Sequence, residues 1–587
     1  MIYFLRKRKF LLILLFSVGL FIILHSAVLA AELGETSKFY IDSSYDWKER
    51  TEITATLRTI SEHAYFYIED DYWQALSSAQ QTLYLDYLKE AVKEFDDKTY
   101  DSVRYIFGSE WKPGIDNDDK ISILLTRLKP NAGGYFNAKD EVPKTQESGS
   151  NEREMIYANA TQIANSFIYS FIAHEFQHLI TWNQKERMQG IVEEVWLNEL
   201  RSEYAPTVAG YDSEYVGTNL EKRVDDFLAN PFNSLTEWKG DRYDYPSVNL
   251  FGHYLAEQFG EDVFTQMVQN NKVGIQSVEQ ALIDKGHFLN FSQLFNNWLI
   301  ASYLNDSSLS DGQYGYKNPY LKGSIQVSPI SYSIVSTSII NISQNVKDWA
   351  PYWYRFINKQ DSSAIARDLE IEFEASTDKG DFNVIYIVDY FSKPVALGLL
   401  NLQGQKGILK IPNFRDNVES VIIIVSNQFK KSGFNANEPL IPFTLSLATT
   451  IFQEPPVARP EDYGLKEGDL IRAQGDFDVF IINQYGYKRL FLNPAIFNMY
   501  GHLGTWKDVK TVTPATRDAF ITSSHYRYVN EDKVYHLEVI GEDTGMLHWI
   551  NMIAENFLAQ GGKANAIFTI NKNELDWYPK GADKTSL

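Results

Sequence analysis

Residues 173–180 read Ala173-His174-Glu175-Phe176-Gln177-His178-Leu179-Ile180. Around them Ile168, Phe171, Ile172, Phe176, Leu179 and Ile180 recur at intervals of three and four, which predicts one apolar helix ending near Trp182. Residues four apart lie on one helix face a turn apart, so His174 and His178 can direct both imidazoles at one metal ion. Glu175 then stands beside them, near a water held by that ion. A carboxylate buried among apolar neighbours between two imidazoles is costly without a partner, and a cation supplies one.

A third ligand belongs on a second helix packed against the first. Trp196-Leu197-Asn198-Glu199 provides it, with Glu199 standing 21 positions after His178, room for a loop and a first turn. Glu203 follows on the same face, placed to accept a hydrogen bond from the far nitrogen of an imidazole, that of His174. The plainer reading of both glutamates is a solvated helix face. Cysteine is absent from all 587 residues, so disulfides, thiolate metal sites and cysteine nucleophiles are excluded and any metal rests on His, Asp or Glu. With 55 Lys and Arg against 76 Asp and Glu, the formal charge of −21 also argues against a nucleic-acid partner.

Working outward, Arg6 to Lys9 precede an apolar run from Phe10 to Leu24, and Val28-Leu29-Ala30 offers small residues for cleavage. Residues 1–30 therefore read as a signal peptide, with an uncleaved membrane anchor as the alternative. Both place the body outside the cytoplasm, secreted or in the cell envelope. Strand-like Ala64–Ile68 and Ile121–Leu125 begin a mixed α/β half, and helical periodicity fills Thr161 to Asn305. After Lys317 the period changes to two, as in Leu369–Ala375 and Phe443–Leu447, while Val384–Val388 and Val421–Val425 are runs suited to strands buried on both faces. The expected fold is multidomain α+β: a catalytic domain at 31–318, a β-sandwich at 319–452, a Pro-rich linker at 453–460 and a small mixed module at 461–587.

The string Gly134-Tyr135-Phe136, then His174-Glu175-Phe176-Gln177-His178, then Trp196-Leu197-Asn198-Glu199 with Ser202-Glu203-Tyr204-Ala205, resembles the gluzincin metallopeptidases. Within them it is most similar to the hyicolysin-like neutral metalloproteases, over roughly Asp46 to Asn305. The resemblance implies a gluzincin-type catalytic domain in which His174, His178 and Glu199 bind one Zn2+ and Glu175 acts as general base and then proton shuttle. It further implies an oxyanion donor, and Tyr245, with Leu255 and Gly260 at the spacing of the aminopeptidase-like relatives, takes that role with Tyr243 in reserve. Those relatives hold a substrate amine with a Gly-x-Met-Glu-Asn strand, which is absent here. Gly133–Phe136 occupies the comparable stretch without its carboxylate, so an endopeptidase is expected, with Gly134 and Tyr135 pairing to an extended polypeptide substrate. The family usually has Gly after the third-ligand Glu. Leu200 and Arg201 stand there instead, a bulkier pair expected to narrow the cleft or shift the helix.

Asp116, Asp118 and Asp119 suggest a structural Ca2+ site or, more simply, an exposed acidic turn. His253 reads as a packing residue or one that supports a ligand from behind rather than a ligand itself, and His502, His525, His536 and His548 as structural, lacking ligand spacing. The accessory regions after 318 would pack on the catalytic unit or contact substrate or the cell surface. Two other functions fit the same motifs: a surface-binding or adhesion protein on a degenerate metallopeptidase scaffold, and a metallohydrolase of non-peptide bonds.

Overall fold

The apolar segments Ala64–Glu69 and Ile121–Thr126 are neighbouring parallel strands in the middle of a six-stranded sheet. Its strands are β1 (Thr36–Tyr40), β2 (Glu52–Ile60), β3 (Ala64–Glu69), β4 (Ile121–Thr126), β5 (Gly134–Phe136) and β6 (Met155–Asn159), in the order β1-β2-β3-β4-β6-β5. Alternation sends Phe66, Ile68, Ile123 and Leu125 into a core shared with helices on one face. Tyr65, Tyr67, Leu124 and Tyr157 go to a second cluster on the other face. Burial on both sides is why these strands read as unbroken apolar runs. Short β5 pairs antiparallel with β6, Tyr135 opposite Tyr157, and forms one edge of the sheet.

The computed structural model describes residues 31–335, 338–359, 368–376, 378, 380–450, 458–541, 543–560 and 562–585. The expected leader at 1–30 and residues 453–457 of the expected linker lie outside them. Among the described residues no helix is long and apolar enough to cross a membrane.

Of the helices that follow the sheet, three frame the opening motif and are called the first, second and third. The first, Phe167–Thr181, takes in the opening motif and continues into a wider turn at Trp182–Arg187. The second is Val195–Val208 and the third Asp244–Phe259. The first packs on β5, β6 and the second helix, and the third packs on the second. A fourth long helix, Phe291–Leu304, begins at a capping box in which Asn290 and Gln293 exchange side-chain-to-backbone hydrogen bonds.

Residues 330–450 form two antiparallel-rich sheets around one core. The five-stranded sheet runs Ala396–Leu399, Phe382–Tyr390, Val418–Asn427, Pro351–Asn358 and Ile330–Ile334. The four-stranded sheet runs Lys406–Ile411, Asp368–Ala375, Ile441–Thr450 and Ile339–Val346. Val384, Val421, Ile423 and Val425 meet Ile371, Phe373, Phe443 and Leu445 between the sheets. The alternate residues Ile385, Ile387, Ile422 and Ile424, with Trp353, turn outward into the same core as the helices. At about 2 kcal/mol per buried aliphatic side chain, these four isoleucines contribute on the order of 8 kcal/mol, as much as the net stability of many whole domains. The sequence separates 31–318 from 319–452 by a change of period; in the fold the two stretches share one core and one compact unit, which ends at residue 451.

A second compact unit begins at residue 452. It has a five-stranded sheet in the order Lys510–Val512, Leu470–Ala473, Phe480–Ile482, Tyr487–Leu490, Ile521–Thr522. A four-stranded sheet follows in the order Thr544–Trp549, Val534–Gly541, His525–Tyr528, Phe568–Ile570. The buried Arg489–Glu574 pair, 2.6 Å apart, is part of its interior.

Candidate metal centre

His174 and His178 project from the first helix and Glu199 from the second, and their ligand atoms all lie within 4.8 Å of one another. The two Nε2 atoms are 3.2 Å apart, and Glu199 Oε2 stands 3.3 Å from that of His174 and 3.7 Å from that of His178. The outer ring nitrogens fix the tautomers. Ser202 Oγ is 2.5 Å from the side-chain oxygen of Gln177 and donates there, so it accepts from His178 Nδ1 at 3.1 Å. His174 Nδ1 faces Glu203 Oε1 at 3.5 Å, and that carboxylate is itself clamped by Arg223. With hydrogens on both Nδ1 atoms, two bare Nε2 lone pairs and a carboxylate point at one another. Glu199 Oε2 is moreover buried without a hydrogen-bond partner. Two imidazoles and one carboxylate so arranged fit a divalent ion such as zinc.

Burial opposes the charge on Glu199, but His178 and His174, when protonated, outweigh it and hold the carboxyl well below its usual range. Glu175 shows the reverse. It is pushed up to about 8, chiefly by burial and then by the charges of Glu199 and Glu203, against the pull of His178. Its side chain lies against β5: a Cβ on Gly134 would fall 2.9 Å from Glu175 Cγ and 2.6 Å from the Tyr157 carbonyl oxygen. Only glycine lets the edge strand pass this close to the carboxylate.

Tyr245 sits inside the first turn of the third helix. Asp244 anchors that turn, accepting the amides of Lys239, Gly240 and Asp241 at 2.8, 2.9 and 3.2 Å. The Tyr245 ring centroid is 6.5 Å from that of His174, packs edge-on against Trp238 and lies under the Arg223 guanidinium at 4.7 Å. Burial, then the charges of Glu199 and Glu203, raise its hydroxyl well above the normal phenol range. Tyr243, in reserve for the same role, stands just before the helix with Arg242 over its ring.

The pairing expected of Gly134 and Tyr135 is a backbone one, and one other expectation changes. The Tyr135 side chain does not face the centre; it is buried in a stack between Tyr45 and Tyr157, with centroids 4.6 and 4.1 Å away, and its hydroxyl accepts from the Asp42 amide. Only its backbone is available on the edge strand. Leu200 and Arg201 do not narrow a cleft either. Both are fully buried, Leu200 against Gly252 of the third helix and Arg201 on Glu193 at 2.9 Å. The position that lacks its glycine is matched by a glycine across the helix contact.

Glu203 lies where the spacing put it, near His174, yet its strongest partner is Arg223, which donates to both of its oxygens at 2.7 Å. Ser202, Gln177 and Arg223 were missed. Ser202 carried a signal, standing three after Glu199 on the same helix face; Arg223, on the separate helix Asn219–Ala229, carried none. His253 is buried beside Tyr204, its imidazole lowered to about 4 by burial, which fits packing. In the acidic turn, Asp118 is taken by Tyr65 and the Lys120 amide and Asp116 by the Asp118 amide. Among the described residues the His174, His178 and Glu199 group is the one place where three such side chains converge.

No family model matches the chain. Over 228 residues it is 28% identical to the neutral metalloprotease ShpI of Staphylococcus hyicus, an alignment covering 33% of this chain and 48% of that protein. That relative is a metalloprotease. The chain thus spans about half the length of the curated relative it matches. Among solved structures, the pre-peptidase C-terminal domain of collagenase from Bacillus anthracis is 12% identical, covering 20% of this chain and 96% of that one with a TM-score of 0.14. The M60 catalytic domain of Clostridium perfringens ZmpB with its CBM51 domains is 7% identical, covering 68% and 60% with a TM-score of 0.24. Likenesses this slight bear on neither fold nor function.

Proposed function

We propose that this chain is an exported zinc endopeptidase of the hyicolysin-like, gluzincin type. The observation that carries the reading is the convergence of His174, His178 and Glu199 on one point, with Glu175 beside it against an edge strand. The partial identity to a metalloprotease supports the same class. Zinc, when bound, supplies Lewis acidity toward the scissile carbonyl and toward water.

The chain's own residues do the rest. An extended polypeptide lies along β5 and exchanges backbone hydrogen bonds with Gly134 to Phe136, which gives affinity without demanding a particular side chain. Glu175, held where no side chain separates it from that strand, takes a proton from the attacking water and returns it to the leaving nitrogen. Tyr245, kept protonated by its buried, anion-rich surroundings, donates its hydroxyl to the developing oxyanion. Glu203 and Ser202 hold the two imidazoles in the tautomer that turns both Nε2 atoms inward. The edge strand itself carries no carboxylate to hold a substrate amine, which favours internal cleavage.

The test is cleavage of unfolded casein by zinc-loaded residues 31–587, abolished by 1,10-phenanthroline and restored by added zinc. Glu199→Gln is expected to weaken zinc binding more than tenfold and to lose cleavage with it. Full zinc occupancy and normal cleavage in that variant would remove Glu199 from the ligand set. Zinc bound by the parent protein without cleavage of casein would favour the binding-protein reading.

Tyr245→Phe removes one oxyanion donor and is expected to lower kcat about 100-fold with KM within about twofold. Steady-state kinetics on a peptide substrate measure this, and an unchanged kcat would take the oxyanion role away from Tyr245.

A further inference from the structure

Beyond the metal centre, the sheet end near β5 and β6 contains a second concentration of buried charge. Glu141 ends the short helical turn Ala138–Glu141 that follows β5, and Glu154 immediately precedes β6. Both are almost fully buried, at 1% and 2% exposure. Their carboxyl groups are adjacent, and Asp116 lies within electrostatic reach of both. Glu154 Oε1 accepts the Ile115 amide at 2.7 Å, but its Oε2 and both oxygens of Glu141 meet no N–H or O–H donor in bonding geometry, and only a proton placed on one of the two carboxyls would join them. The Met155 amide is turned toward Glu141 without closing a bond. The backbone comes in unusually close: Gly114 has φ +86°, and a Cβ there would lie 1.7 Å from Glu154 Oε2.

The neighbouring charges do not settle this group. Arg153 acts on Asp116, but its guanidinium donates to the Tyr67 hydroxyl at 2.8 Å and packs over Phe39 and Tyr67. Asp140 is already satisfied by Tyr157 at 2.7 Å and by the Asn151 amide and side chain at 2.9 and 2.8 Å. Asp118 is spent on Tyr65 and Lys120. Three buried oxygen acceptors without donors, on two carboxylates brought together from separate segments, are what an oxygen-ligated cation requires.

We propose that Glu141 and Glu154 form a calcium site, completed by backbone carbonyls and water, that ties the 138–154 loop to the sheet beneath the edge strand. Calcium suits the donors: it takes six to eight oxygens with flexible geometry, and two carboxylates can supply four of them. The site differs from the Asp116, Asp118 and Asp119 turn that the sequence suggests: Asp118 is bound to Tyr65 and the Lys120 amide, and Asp116 stands at the edge of the new site with one oxygen on the Asp118 amide. Its consequence is mechanical. Glu141 stands five residues past Phe136, so a cation there restrains the strand that lies against Glu175 without touching the reaction. In its absence the two carboxyls repel or share a proton. Glu154 is then raised to about 8, mainly by burial, and Glu141 is also raised.

Thermal unfolding of the zinc-loaded protein, in excess EGTA or in millimolar CaCl2, tests the proposal beside Glu141→Gln/Glu154→Gln. Calcium should raise the midpoint of the first unit by about 4 °C in the parent protein and leave the double variant unmoved. The double variant should unfold no earlier than the calcium-free parent, because it has lost the repulsion. Terbium, excited through nearby tyrosines, should luminesce with the parent and at least tenfold less with the variant. No calcium response in the parent, or an equal response in both proteins, overturns the site. A parent that ignores calcium but loses stability as pH rises through 8 would likewise overturn it, in favour of a shared proton. Because these readouts are binding and stability, the result stands apart from whether the chain cleaves peptides.

Discussion

Glu175→Gln will lower kcat for casein or a peptide substrate by about 10³-fold, the middle of the range for losing a positioned general base, with zinc content unchanged. The isosteric amide keeps the side chain against Gly134 and keeps an oxygen near the metal centre, but it cannot accept the proton of water. The thermal midpoint should hold or rise, because burial, Glu199 and Glu203 all disfavour the charge that the amide removes. That combination separates catalysis from architecture: a structural Glu175 would cost stability and zinc along with rate. Matched metal content, measured in the same samples as kcat, is therefore essential, and a rate within tenfold of the parent would end the general-base assignment.

The residues of the candidate metal centre were legible because their information is local. Four-residue spacing puts His174 and His178 on one face whatever surrounds the helix, and Glu199 needed only one loop and one turn more. The strands buried on both faces were legible for a similar reason, since Val384–Val388 and Val421–Val425 leave no polar side to expose. What was not legible depends on which surfaces meet. Periodicity says that a helix has an apolar face, not which helix will cover it, so nothing announced that Leu200 would fit over Gly252. Tyr135 illustrates the same limit: its position on the edge strand could be anticipated, but the direction of its side chain depends on the register with Tyr157. The period change after Lys317 marks new secondary structure, yet it is silent on whether the sheet's outer face is solvated. Ile385, Ile387, Ile422 and Ile424 show that it is not.

Arg223 holds a buried anion in a way the sequence left unmarked, and Arg223→Met is expected to destabilise the first unit by about 4 kcal/mol. Its guanidinium meets Glu203 as a bidentate fork, both partners nearly inaccessible, with Asn219 and Asn249 adding weaker contacts at 3.3 and 3.4 Å. Burial opposes the charge on both groups; each is kept ionised by the other, Glu203 lowered and Arg223 raised. Methionine fills much of the same volume but leaves a carboxylate in the interior with no cation, the arrangement that costs most. Differential scanning calorimetry on the Glu175→Gln background, where self-cleavage is suppressed, measures the loss. The double variant Arg223→Met/Glu203→Met should recover most of it, because an apolar pair replaces a stranded charge. Zinc affinity should not recover. With Glu203 gone, His174 loses the carboxylate facing its Nδ1, and a 10- to 100-fold weakening of metal binding is expected for such a partner. Arg223→Lys should fall between, since one ammonium balances the charge but cannot reproduce the fork or lie flat on the Tyr245 ring. A single variant as stable as the parent would mean that Glu203 is not held as a buried anion, and the inward-facing tautomer of His174 would need another cause.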